Sequence, residues 1–236
     1  MSHHKLLKTL LLLLISLSWG CSTTMVGLDY EGNPEPVADR TITSGIGQIV
    51  VVDNRGTDAD WLGAIRGGYG NVLKSIRTDG PTSEIVANVY RQAFVEYGYL
   101  DEPNGEVLFS ANIEKLDCSY YFNREAHAHI DISLLNRNTN ELLFSDRYVT
   151  DLTEGGVGAG VFGDVETLRD LAEEALNQTV DKSMTDLTFV AALARAGKPV
   201  EGNYVETLRG LKDAYDQGLI SEEEYQQNKQ KALDSM

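Results

Sequence analysis

Three successive runs between Glu106 and Thr150 constrain the fold more than any other stretch of the chain. From Glu106 to Asp117, the apolar residues Val107, Phe109, Ala111 and Ile113 take every second position. From Glu125 to Leu135, Ala126, Ala128, Ile130, Ile132 and Leu134 do the same. Successive side chains of a strand point to opposite faces, so each run reads as a strand with one apolar side. Asn136 to Asn140 reads as a polar turn, and Glu141 to Thr150 as the third strand of the meander. Such a sheet needs a second layer to cover its apolar face.

Helical spacing supplies that layer. After Pro81, the residues Ile85, Val86, Val89, Ala93, Phe94 and Tyr97 recur at helical period, with Gly98 as the left-handed stop. Thr82 or Ser83 is placed to cap the free amides. A second pattern runs from about Asp164 to Leu193 through Val165, Leu168, Ala172, Ala175, Leu176, Val180, Met184, Leu187 and Ala191. At 1.5 Å per residue it would span roughly 45 Å, so it must overhang the sheet, bend or end early.

Upstream, Gln48 to Asp53 holds four consecutive apolar residues and reads as a strand buried on both faces or central in its sheet. Asn54 to Pro81 carries Trp61, Leu62, Ile65, Tyr69, Leu73 and Ile76. It is too long to be an idle connection and is expected to pack as a lid or to contain a short helix or strand. The expected class is α+β: a two-layer sandwich of a mainly antiparallel sheet covered by two helices, plus a C-terminal helical hairpin.

The N-terminus is an address. Lys5 and Lys8 precede an apolar run from Leu10 to Leu17 that closes on Ser18-Trp19-Gly20-Cys21. A basic start, a short apolar middle and a small residue before a cleavage point make an export signal. The run is too short to span a bilayer, which takes about 20 apolar residues. Residues 1–21 are therefore read as signal and 22–47 as a flexible tether rich in Gly, Pro, Thr and Asp. The folded domain is placed at 48–193, a linker at 194–206 and the hairpin at 207–236.

Formal charge is −16, and losing Lys5 and Lys8 with the signal takes it to −18. That surface excludes nucleic acid as a partner, whose phosphates demand clustered Lys and Arg. It also argues against docking on anionic head groups by charge alone. With Cys21 modified, Cys118 is the one thiol left, so no intrachain disulfide forms. Asp117 beside it raises a thiol pKa rather than lowering it. A free thiol outside the cytoplasm could still cross-link two chains.

Few constellations carry chemistry. Gly158-Ala-Gly160-Val-Phe-Gly163 fits G-x-G-x-x-G. However, Asp164 and Glu166 put negative charge where a pyrophosphate would lie, so the run reads as a hinge. His127, His129 and Asp131 share the face of their strand opposite Ala128, Ile130 and Ile132. They are read as the solvated side of an amphipathic strand, with a shared zinc as the alternative. Asp53 and Arg55 read as a strand-end ion pair that shapes the following loop. Spacing nominates no Ser-His-Asp or paired-carboxylate set, so no enzyme and no cofactor is expected. A rival reading has a ligand- or metal-binding, even hydrolytic, domain using the open sheet face and the 54–81 segment, its pocket lined by Trp61, Tyr69 and His127.

Gly20-Cys21 after a leucine-rich segment resembles the lipobox of bacterial lipoproteins. Ser18 and Trp19 stand where that family usually has Leu and a small residue. The resemblance implies a palmitate-bearing, lipid-anchored Cys21, with Ser22 resembling an outer-membrane address facing the periplasm.

The segment Leu208-Arg-Gly-Leu211-Lys-Asp-Ala-Tyr215-Asp-Gln-Gly218-Leu-Ile220-Ser221-Glu-Glu-Glu224-Tyr225, with Lys229 and Leu233, resembles the SHOCT module. Its Ser221 and Glu224 form a capping box. The resemblance implies binding to a protein partner or self-association through Leu208, Leu211, Tyr215, Ile220, Tyr225 and Leu233. Packing against its own domain would cover the same surface. Residues 48 to 193 are similar to the YajG-type outer-membrane lipoproteins through Val51-Val52-Asp53-Asn54-Arg55, Leu62-Gly63 with Ile65-Arg66, and the Leu134 to Tyr148 hairpin. That similarity implies location and architecture only.

Overall fold

Alternation between Glu106 and Thr150 becomes three long antiparallel strands, and the rest of the fold is hung on them. In the computed structural model, residues 22–32, 45–155, 164–196, 210–217 and 220–234 are described. The chain runs β1 (Ser22–Val26), β2 (Ile46–Asp53), β3 (Trp61–Arg66), β4 (Val72–Thr78), α1 (Thr82–Glu96), β5 (Val107–Tyr120), β6 (Arg124–Asn136) and β7 (Leu142–Glu154). It continues through α2 (Val165–Thr185), α3 (Leu187–Ala196), helical residues 210–216 and α4 (Glu222–Asp234). No described helix is long and apolar enough to cross a membrane.

One mixed sheet holds every described strand, in the order β1-β4-β3-β5-β6-β7, with β2 also on β5. The free edge of β5 is shared in tandem. Its first half pairs in parallel with β2, from Ile46 opposite Val107 to Asp53 opposite Ile113. Its last residues pair in parallel with β3, from Gly63 opposite Cys118 to Ile65 opposite Tyr120. The β3–β4 hairpin is antiparallel, and β1 adds to β4 in parallel. With helices covering one face and a C-terminal helical pair, this is an α+β sandwich.

The covered face holds the core. Phe109, Ile113, Ile130, Ile132 and Leu134 are fully buried, as are Tyr90 and Phe94 of α1 and Leu176, Val180 and Met184 of α2. Burying each large side chain is worth about 1.5–3 kcal/mol. Tyr90 and Phe94 close on the Phe109 ring at centroid distances of 4.7 and 4.9 Å. A bulge between Ile113 and Lys115 shifts the alternation of β5 by one residue. The inward set therefore changes from Phe109, Ala111 and Ile113 to Leu116, Cys118 and Tyr120.

Several expectations are corrected. The 22–47 segment is not a tether where it is described, because β1 begins at Ser22 and β2 at Ile46. Between them, Leu28 and Tyr30 are buried in a groove between the helices. There the Tyr30 amide donates to Gln92 Oε1 and the Asp29 amide to Glu173 Oε2, both at 2.9 Å. Residues 33–44 lie outside the described ones. Next, β2 is not buried on both faces: Val50 and Val52 are 37% and 44% exposed on the open side. Of the two forms expected for the 54–81 segment, the structure takes the second: it contains strands, β3 and β4, paired as a hairpin.

The long helical pattern breaks at Asp186, whose carboxylate accepts from the Thr188 amide at 2.7 Å and starts α3. Because α3 runs to Ala196, the domain extends past Leu193 into the expected linker. Pro81, not Thr82 or Ser83, stands at the cap of α1, without a side-chain capping bond. Gly98 does take the left-handed conformation, at φ 70°. Cys118 is buried inside β5, where burial first and Asp117 second push its thiol up to about 12, so it is no ready cross-linker. The glycine run at 156–163 lies outside the described residues.

Candidate functional site

On the open face, β6 presents His127 and His129, and the register of β7 brings Asp151 directly opposite His127. One carboxylate oxygen, Asp151 Oδ1, lies 2.5 Å from His127 Nδ1 and 2.8 Å from His129 Nε2. The two imidazoles stand edge to face with centroids 6.2 Å apart. Hydrogen bonds from His129 and then His127 hold the Asp151 carboxyl below its usual range. One potential ligand atom from each residue lies within 4.8 Å of the others. Ligands about 2.0–2.2 Å from a tetrahedral zinc lie roughly 3.3 Å from each other, so the 2.5 and 2.8 Å contacts of Asp151 would have to open for a cation to enter. The arrangement can share protons or hold a divalent ion with water completing its shell.

Asp131, expected beside the two histidines, is engaged elsewhere. Its Oδ2 accepts from Arg147 Nη2 at 2.6 Å, and Arg147 Nε donates to Oδ1. That guanidinium keeps the Asp131 carboxyl below its ordinary range. The residue that spacing missed is Asp151. A bulge at the start of β7 sets its position, because the pairing steps from Leu135–Leu142 to Leu134–Phe144. Had the Leu135–Leu142 register run on unbroken, Asp151 would fall opposite Ala126 on the core side.

Asp53 and Arg55 form the expected ion pair, at 2.7 Å, with the Arg55 side chain 4% exposed. Arg55 does more than neutralise Asp53. Its Nη1 donates to Leu116 O at 2.8 Å and to Trp61 O at 2.6 Å. These bonds fill the gap on the β5 edge where β2 has ended and β3 has not begun. Burial pushes the Asp53 carboxyl up, but the hydrogen bonds and charge of Arg55 outweigh it and leave the carboxyl low.

The pocket of Trp61, Tyr69 and His127 does not form. Tyr69 is wholly exposed on the β3–β4 turn. Trp61 lines a cavity of about 90 Å³ with Arg55, Thr57 and Glu114 to Asp117. Small-molecule sites run to roughly 300 Å³ and more.

At the C-terminus, residues 210–216 and α4 bring Tyr215 and Tyr225 into a stack with centroids 5.1 Å apart and planes at 22°. The capping box closes as expected, the Ser221 amide donating to Glu224 Oε2 at 2.9 Å and the Glu224 amide to Ser221 Oγ at 3.2 Å. Tyr215 is 37% exposed, and Leu211, Ile220 and Tyr225 are half-buried. Leu208 lies outside the described residues, and the side chain of Leu233 does too. So does Cys21.

Residues 206–233 match the SHOCT family, described as a short C-terminal domain. No curated protein matches the chain. Among solved structures it is similar to protein XCC0632 of Xanthomonas campestris, assigned to DUF330. That likeness has 13% identity and a TM-score of 0.52, over 72% of this chain and 96% of that one. It shows the fold. The fold is thus like that of the DUF330 protein, and the C-terminal segment carries the SHOCT match. Lower likenesses include the PelC dodecamer of Paraburkholderia phytofirmans, at 10% identity, TM-score 0.34 and 61% and 93% coverage. Another is lipoprotein GNA1162 of Neisseria meningitidis, at 12%, 0.21 and 56% and 96%. Scores at that level carry no argument.

Proposed function

We propose that this chain is a non-catalytic lipoprotein of the bacterial envelope, held by acylated Cys21 in the outer membrane and facing the periplasm, that presents its SHOCT hairpin to a protein partner or a second copy. The observation that carries this reading is the hairpin itself. It matches a family model over residues 206–233 and stacks Tyr215 on Tyr225 with both rings still partly open to solvent. A hairpin this short does not make a core of its own, so docking completes it. Fixing it at a membrane raises its effective concentration for a partner on the same surface. The YajG-type resemblance of residues 48–193 agrees with the same address.

Removing residues 206–236 tests the reading. Cross-linking in intact cells is expected to lose a protein adduct, or the chain's own oligomer, while thermal unfolding of the domain stays unchanged. Retention of every adduct with a lowered melting temperature would make the hairpin a structural part of the domain and overturn the reading.

A second reading rests on a different observation. Asp151 supplies the convergent third group that His127 and His129 need to hold a divalent cation. Equilibrium dialysis against zinc checks it, with stoichiometric uptake lost in His129→Ala expected and no uptake by the unaltered chain contradicting it.

A further inference from the structure

One transverse row crosses six strands of the sheet. Ser22 pairs with Lys74, Lys74 with Ile65, Ile65 with Tyr120, Tyr120 with Arg124 and Arg124 with Glu154. Just past that row, on one side, lie the β3–β4 turn and the β5–β6 turn. Since β1 runs parallel to β4 and away from those turns, its first residue, Ser22, faces the same end. A single peptide bond separates Ser22 from Cys21. The anchor therefore has no slack: whatever holds Cys21 also holds this end of the sheet.

The side chains at that end differ from the rest of the molecule. Tyr69 is fully exposed at the tip of one turn, and Phe122 is 70% exposed at the tip of the other. Tyr121 ties the turns together, donating to Gly68 O at 3.1 Å, and its ring lies 4.1 Å from that of Phe122. In a chain with 36 acidic residues against 20 basic ones, neither contributing segment, 61–78 nor 118–124, holds a single Asp or Glu. Arg66 and Lys74 are exposed there. Arg124 is half-buried, with Glu154 of β7 at 3.4 Å as the nearest acid on the row. Exposed aromatic rings flanked by basic side chains suit the head-group layer, where an amphipathic ring keeps one edge wet.

The geometry points to this sheet end, with Tyr69, Tyr121, Phe122, Arg66 and Lys74, as a membrane-docking surface that lies on the leaflet into which Cys21 is anchored. The inference rests on the anchoring reading above and deepens it, because the domain lies against the lipid instead of standing off on a tether. The net negative charge of the chain does not oppose contact at the two turns, whose segments 61–78 and 118–124 hold no acid; Glu125 and Glu154 lie beside Arg124, toward the β6–β7 side of the row.

The acylated, full-length mature chain is reconstituted into vesicles of phosphatidylethanolamine and phosphatidylglycerol carrying a head-group spin label. Three variants, Tyr69→Cys, Phe122→Cys and Thr139→Cys, receive a fluorescent thiol reagent; Cys118 is buried and stays unlabelled. Thr139 sits in the β6–β7 turn at the opposite end of the sheet. Quenching several-fold stronger at positions 69 and 122 than at 139 is expected. Equal, weak quenching at all three on protein that still floats with the vesicles overturns docking and leaves the anchor standing. Positions 69 and 122 shielded from aqueous iodide yet unreached by the lipid label would mean a protein covers that end, which also overturns it. Protein that fails to float at all removes the anchor and, with it, this inference.

Discussion

Two places in the molecule join a carboxylate to nearby basic groups, and they work in opposite ways. At the β2–β3 junction, Arg55 is 4% exposed, and its guanidinium replaces missing backbone partners on β5. On the open face of β6 and β7, the Asp151 side chain is 52% exposed, and its histidine bonds add only an exposed side-chain link to strands already paired along their backbones. Removing one partner of a buried pair strands a charge, whereas exposed pairs are screened and contribute little. The first region is architecture. The second is free to do chemistry without cost to the fold.

Arg55→Ala is the sharpest way to break that contrast. It strands Asp53 and leaves Leu116 O unpaired, so urea denaturation is expected to show a loss of about 3–5 kcal/mol. The pair also has a pH signature. Asp53 is held low in the folded chain, so its contribution is complete above the unfolded carboxylate value of about 3.9. It fades as pH falls through the lower folded value. Unfolding followed from about pH 5 down to about pH 2 is expected to lose this acid-sensitive portion in Asp53→Asn.

Gly63→Ala comes next. An added Cβ would sit 2.0 Å from Cys118 O and 2.8 Å from its sulfur, so β3 would be pushed off β5. A loss of about 1–3 kcal/mol is expected by thermal melting. Asp151→Asn is expected to change stability by less than about 1 kcal/mol and yet abolish any zinc uptake. Arg147→Ala, which frees the half-buried Asp131, is expected to leave zinc uptake alone.

The strands β5, β6 and β7 were readable because one face is buried along their whole length, which imposes alternation. By contrast, β1 reads as Ser-Thr-Thr-Met-Val, an edge strand with a mostly exposed pattern that imposes none. The β3–β4 hairpin was hidden for a different reason. In Trp61–Arg66 four successive residues, from Leu62 to Ile65, are buried, and Gly63 is small because Cys118 lies against it.

The break at Asp186 did carry a signal, an Asp two residues before a Thr amide it could cap, inside an otherwise continuous helical period. Of the candidate site, the two histidines on one face were legible from spacing. Asp151 was not, because its place depends on a one-residue bulge that no local pattern marks. Nor could a sequence show that Tyr69 and Phe122, 53 residues apart, share one end of the sheet.

The most direct test of the central claim is the intact mass of the mature chain extracted from membranes. The account predicts a polypeptide beginning at Cys21 with the added mass of a diacylglyceryl group and an amide-linked acyl chain. The Cys21→Ser variant should lack that mass and leave the membrane fraction. An unmodified N-terminus on freely soluble protein would contradict it.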